Sequence, residues 1–116
     1  VVDRLDRYAD PPAECLVDPI PQAGPLQAVL GVLNYHADRQ TQTNPRAPWC
    51  LILTCDQLEW SSTWLRAMTT ELASAAGEHR ALVCMTDRLQ PFPGLYHIDL
   101  RPIAQAGYRS GQRSMI

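Results

Sequence analysis

The sequence predicts an α/β domain, a three-layer sandwich built on a mainly parallel sheet. Three observations lead there. Short apolar runs alternate with amphipathic stretches in strand–helix–strand order. The clearest strand runs are continuously apolar, as when helices cover both faces. Proline and glycine stand at the joints between them. The chain has 116 residues and a mass of 13.0 kDa, enough for one core, so residues 1–116 are read as a single domain.

The elements follow in chain order. The run 14–17 (ECLV) reads as a short strand ended by Asp18-Pro19, a turn former. The loop PIPQAG follows, and Gly24-Pro25 opens a helix with proline at its first position, where a missing N–H costs nothing. Leu26, Val29, Leu30, Leu33 and Ala37 then fall on one helical stripe. Residues 38–48 (DRQTQTNPRAP) are polar and proline-interrupted, which predicts an exposed loop.

Residues 49–54 (WCLILT) form the clearest strand, ending at Cys55-Asp56. Ser61 or Ser62 caps a second helix carrying Trp64, Leu65, Met68, Leu72 and Ala76 and closing at Gly77. Residues 81–86 (ALVCMT) read as a third strand and 95–98 (LYHI) as a fourth, followed by a short helix over 102–108.

Charge and cysteine usage narrow the class. Ten Lys+Arg residues against twelve Asp+Glu give a net charge of −2. The pI near 5.8 argues against a broad nucleic-acid or anionic-membrane face. No apolar run approaches the ~20 residues of a bilayer span. Cys15, Cys50, Cys55 and Cys84 contain no C-x-x-C pair, and three sit in apolar runs. They read as inert thiols in a reducing, cytoplasmic setting rather than as metal ligands. The charged start VVDRLDRYAD is no signal peptide.

In parallel sheets, ligands bind outside the carboxyl ends of the strands. Asp18 follows ECLV directly, and Asp56 stands two residues beyond WCLILT. With the strands adjacent, both carboxylates would face one crevice, beside the N–H groups and positive dipole end of the helix opened by Gly24-Pro25. Carboxylates next to a phosphate-friendly helix end need a cation between, and a hard, oxygen-liganded Mg²⁺ fits that demand. The competing reading makes both aspartates ordinary turn and loop caps. A phosphoacceptor receiver domain also places aspartate at a strand end, but pairs it with lysine. All ten basic residues here are arginine.

Four stretches in order carry a resemblance: Asp18-Pro-Ile-Pro-Gln-Ala-Gly24-Pro25-Leu26; Ile52-Leu-Thr-Cys55-Asp56; Gln90-Pro-Phe-Pro-Gly-Leu95-Tyr96-His97; and Ser110-Gly-Gln-Arg113-Ser114. Together they resemble the molybdenum cofactor guanylyltransferase family from Asp18 onward. In that family a strand ends in Asp, a loop leads into Gly-Pro-Leu, a later strand runs into Cys-Asp, and an LYH strand and a Ser-Gly-Glu/Gln-Arg-Ser turn follow.

The resemblance implies a Rossmann-like nucleotidyltransferase domain that transfers GMP from Mg·GTP to the phosphate of molybdopterin cofactor. By similarity Asp56 would be catalytic, ligating Mg²⁺ and touching the nucleotide. Asp18 and Gly24 would bind the nucleotide, and Arg113, with Arg109 near it, would meet the cofactor phosphate. A molybdoenzyme or a cofactor-delivery protein would be the partner. His97, in the LYH segment, reads as a packing residue at a strand end, and Trp49, Trp60 and Trp64 as core.

Departures from the family pattern carry their own expectations. The N-terminal Gly-rich loop, roughly L-x-G-G-x-S-x-R-M-G-x-D-K, has no counterpart in residues 1–13, and the lysine it supplies is missing. The Met-Pro after Cys-Asp is here Gln57-Leu58, and the proline before it is Thr54. The chain is therefore expected to be N-terminally incomplete and inactive without that loop. The alternatives are a non-catalytic binding or regulatory module on the same fold, or a cytidylyl or sugar-nucleotide relative.

Overall fold

The computed structural model describes residues 1, 9–10, 13–18, 20, 22–40, 48–55, 61–74, 77 and 79–115. Its elements are α1 (Pro25–Gln40), β1 (Trp49–Ile52), α2 (Ser62–Ser74), β2 (Ala81–Met85), β3 (Leu89–His97), a 3₁₀ turn (Ile98–Leu100) and α3 (Arg101–Arg109).

α1 forms as its periodicity requires. Leu26, Val29, Leu30, Leu33 and Ala37 are all buried, and Leu33 is fully sealed at 0% exposure. The helix extends past the expected boundary to Gln40. Arg39 in its last turn complements the helix dipole and pairs with Glu14 at 3.3 Å. The expected loop 38–48 thus loses its first residues to α1, and 41–47 lie outside the described residues. In α2, the Ser61 Oγ accepts the Trp64 N–H at 3.3 Å, so Ser61 is the cap. The run 14–17 does not become a strand; Val17 alone makes an isolated bridge.

The expectation of a mainly parallel, three-layer sheet is corrected. The strand order is β1-β3-β2, and β3 runs antiparallel to both neighbours. β1 and β2 therefore share one direction, which is what a strand–helix–strand crossover through α2 delivers. The next strand then turns back through Thr86, Asp87 and Arg88 and inserts between them. So short a link closes an antiparallel pair, whereas a parallel crossover needs a dozen or more residues. The second helical layer is also thin. Leu51 and Leu65 are exposed, Met85 is 71% exposed, and Met68 is the buried residue of α2. Continuous apolar runs here do not mean two covered faces.

β3 extends the expected fourth strand backward from Leu95 to Leu89, through Pro91 and Pro93. Prolines donate nothing to a ladder and are rare in central strands. The structure resolves the conflict with an irregularity. Val83 pairs with Gly94, but the next residue, Cys84, pairs with Gln90, so residues 91–93 stand outside the ladder. The Tyr96 hydroxyl donates to the Pro91 carbonyl across this step. A Cβ on Gly94 would lie 2.7 Å from both Pro91 O and the Tyr96 ring, so glycine is required there.

Val29 and Leu33 of α1 pack on Cys50 of β1 and Tyr96 of β3. Leu26 and Leu30 pack on Ala104 of α3, and Met115 touches both clusters. α1 is thus the hub. Among the described residues, no helix is long and apolar enough to cross a membrane.

Candidate functional site

Asp18 stands directly after the Val17 bridge and is half-buried. Its Oδ1 accepts the Ile20 N–H at 3.1 Å, an Asx turn that the Asp-Pro sequence favours. The carboxylate therefore serves the turn with one oxygen, while the other accepts nothing among the described residues. It borders a cavity of about 240 Å³ formed between the 16–18 segment and Gln27, Ala28, Gly31 and Tyr35 of α1.

Beside it lies a second cavity, of about 300 Å³. It is lined from α1 by Pro25, Val29 and Val32, and from the carboxyl end of β1 by Ile52, Leu53, Thr54 and Cys55. Val1 and Ala28 border both cavities. The carboxyl end of β1 thus opens on a cleft that adjoins, through Val1 and Ala28, the cavity bordered by Asp18. Asp56, the next residue after Cys55, lies outside the described residues, as does Trp60.

Gly24 has φ +90°, a left-handed conformation suited to glycine. The α1 N-terminus beyond it does not present the open donors expected of an anion site. The Leu26 N–H donates to the Arg113 carbonyl at 3.2 Å, and the Gln27 N–H donates to the Gly24 carbonyl at 3.2 Å. Pro25 has no N–H to offer. The chain fills its own helix end, which corrects that expectation.

Arg113 is brought against Gly24 by its backbone, while its side chain turns to the end of α3. The guanidinium lies 4.2 Å from the Tyr108 ring centroid and donates to the carbonyls of Tyr108 at 2.8 Å and Gln112 at 3.0 Å. Gly24 and Arg113 are therefore together, while Asp18 borders the cavity lined by Gln27, Ala28, Gly31 and Tyr35, which neither of them lines.

Other singled-out residues have structural partners. His97 Nδ1 accepts the Asp99 N–H at 3.1 Å and its ring meets Trp49 edge-on at 5.0 Å, as a packing residue at a strand end would. The Trp64 indole N–H donates to Cys84 Sγ. Cys50 is buried, and burial pushes its thiol up to about 11; burial likewise pushes Tyr96 up to about 12.

Gln27 and Tyr35 are the lining residues that the apolar stripe of α1 did not disclose. The Tyr35 hydroxyl donates to Glu14, which raises the phenol above its ordinary value. The available signal was their spacing with Gly31 at i, i+4 and i+8, a second row on the same helix.

Among the described residues, no group of three or more His, Cys, Asp or Glu side chains is close enough to hold a metal ion. A Mg²⁺ that arrives with phosphates needs only one or two protein carboxylates, its other positions being filled by phosphate and water.

The domain is a small α/β unit with two adjoining cavities, one at the carboxyl end of β1 and one bordered by the Asp18 carboxylate. Its sequence matches the family model of the MobA-like NTP transferase domain over residues 2–116, and the chain belongs to that family. It is therefore a nucleotidyltransferase-type domain. Comparison with curated proteins and with solved structures gave no match.

Proposed function

We propose that the protein is a Mg²⁺-dependent guanylyltransferase that moves GMP from GTP to the terminal phosphate of molybdopterin cofactor and releases pyrophosphate. The observation that carries this reading is the cleft at the carboxyl end of β1. It adjoins the Asp18 cavity, and the chain passes from its Cys55 wall into Asp56. The family match over residues 2–116 supports the nucleotidyl-transfer class. The motif series Gly24-Pro25-Leu26, Cys55-Asp56, Leu95-Tyr96-His97 and Ser110-Gly111-Gln112-Arg113 supports the guanylyl branch.

In this reading Asp56 is the metal ligand and Asp18 holds the nucleotide. Bound Mg²⁺ would supply charge neutralisation on the phosphates. The chain's own work is positioning. The Asx turn fixes the Asp18 carboxylate at its cavity mouth. Gly24 lets the 22–24 loop pass close to Arg113, and Arg113 contributes a fixed cation for the acceptor phosphate. Phosphoryl-type transfer gains most from such placement and needs little general-base help.

Titration calorimetry with the full-length protein tests the reading. GTP binding is expected to require Mg²⁺ and to weaken at least about tenfold in Asp56→Ala, the loss of a charged ligand. Asp18→Asn is expected to weaken nucleotide binding with the circular dichroism spectrum unchanged. Unchanged affinity in Asp56→Ala removes that residue from the site.

The self-filled N-terminus of α1 favours a second reading, a binding or regulatory module that keeps the fold without turnover, because it takes one anion subsite away. Pyrophosphate release in the presence of GTP and molybdopterin cofactor separates the two readings.

A further inference from the structure

Besides its apolar stripe, α1 carries Gln27, Gly31 and Tyr35 in a row, four residues apart and hence on one face. At 1.5 Å per residue, Gln27 and Tyr35 stand about 12 Å apart along the axis. Gly31 leaves the helix bare between them; a Cβ built there meets no described atom within 4 Å. This bare stretch floors the cavity of about 240 Å³ that Asp18 borders.

Gln27 is only 9% exposed, yet its carboxamide has no hydrogen-bond partner among the described residues. Buried amides are nearly always paired, because leaving their donors and acceptor idle forfeits hydration without return. Tyr35 cannot serve as the partner with the hydrogen of its hydroxyl, which is committed to Glu14. The cavity therefore offers a flat apolar floor, an unmatched carboxamide and a carboxylate at its rim. A cavity near 150 Å³ already admits a benzene ring, so this one has room for a purine.

We propose that Gln27 reads the edge of a purine base lying over Gly31, with Asp18 at the rim of the same cavity completing the readout. A carboxamide makes two hydrogen bonds to guanine's N–H beside a carbonyl and, flipped over, to adenine's amino group beside a ring nitrogen. The carboxylate makes the difference, since the third group on that edge is an amino donor in guanine and a C–H in adenine. The inference rests on the guanylyltransferase reading and adds the side chain that holds the base edge.

The test uses calorimetry on the full-length protein with Mg²⁺ and GTP, ATP or inorganic tripolyphosphate. Gln27→Met keeps the length and removes the polar atoms. It is expected to weaken GTP about tenfold, to weaken ATP by a similar factor, and to leave tripolyphosphate unchanged. Gly31→Leu fills the floor without touching the core stripe. It is expected to abolish GTP binding while the melting temperature holds or rises, since leucine is the better helix former. Asp56→Ala serves as the control for the site as a whole. If GTP binding depends on Asp56 but neither α1 substitution alters it, the role of Gln27 is overturned and the guanylyltransferase reading stands. Equal weakening of GTP and tripolyphosphate in Gln27→Met also overturns it. Wild-type protein that binds no nucleotide overturns both.

Discussion

A Cβ placed on Gly24 would sit 2.8 Å from the carbonyl oxygen of Arg113 and 3.3 Å from its Cβ. The same carbonyl accepts the Leu26 N–H. The loop that opens α1 and the turn that follows α3 are therefore closed against each other at one point, through backbone atoms that cannot move aside cheaply.

Gly24→Ala should lose stability by about 1–3 kcal/mol from the left-handed backbone alone, with the close approach adding to it. Urea denaturation measures the change. A variant as stable as the parent would mean that this contact does not exist in solution.

Leu33 should be the costliest leucine of the helix to truncate. It is sealed between both clusters' helix and the sheet at 0% exposure, and Leu33→Ala should cost about 2–5 kcal/mol. Leu65→Ala, at a position 36% exposed, should cost under about 1 kcal/mol. Comparable losses at the two sites would show that α2 is covered in solution.

Alkaline pH should destabilise the fold through Cys50. Its thiol rises from 9.0 to about 11 on burial, so the folded state holds its proton where the unfolded state has released it. Stability is then fully present below pH 9 and falls as pH rises toward 11. Tyr96, raised from 10.0 to about 12 by burial, extends the fall. Denaturation midpoints across pH 8 to 11 follow it, and Cys50→Ala should flatten the first part of the slope. An identical slope in that variant would exclude Cys50 as the source.

Arg113→Ala should separate two roles. Loss of the stack on Tyr108 should lower stability by about 0.5–1 kcal/mol. The proposed contact with the acceptor phosphate predicts a KM for that substrate at least about tenfold higher, with GTP affinity untouched. An acceptor KM that stays put would leave Arg113 as a clasp for the end of α3.

Much of the architecture was legible because helices encode themselves locally. The stripe from Leu26 to Ala37 and the cap at Ser61 are relations among near neighbours in sequence, and both stand in the structure. β3 was half-hidden because Pro91 and Pro93 argue against a strand, and only pairing to β2 on either side of them makes one. Of the two aspartates picked out in the sequence, Asp18 borders a cavity and Asp56 lies outside the described residues. The burial of Gln27 was not legible, because a polar residue beside a stripe looks like a solvated one until neighbouring segments bury it.

The sequence by itself determined the helix faces, the approximate positions of β1, β2 and the end of β3, and the family match over residues 2–116. Only the tertiary structure decided that β3 inserts antiparallel between β1 and β2, that Arg113 closes the α1 N-terminus, and that Gln27 is sealed beside an open cavity. The physical reason is range. Side-chain periodicity is written within a few residues, whereas ladder direction, helix-end pairing and burial depend on which distant segments meet, and that is settled by the joint packing of the whole chain.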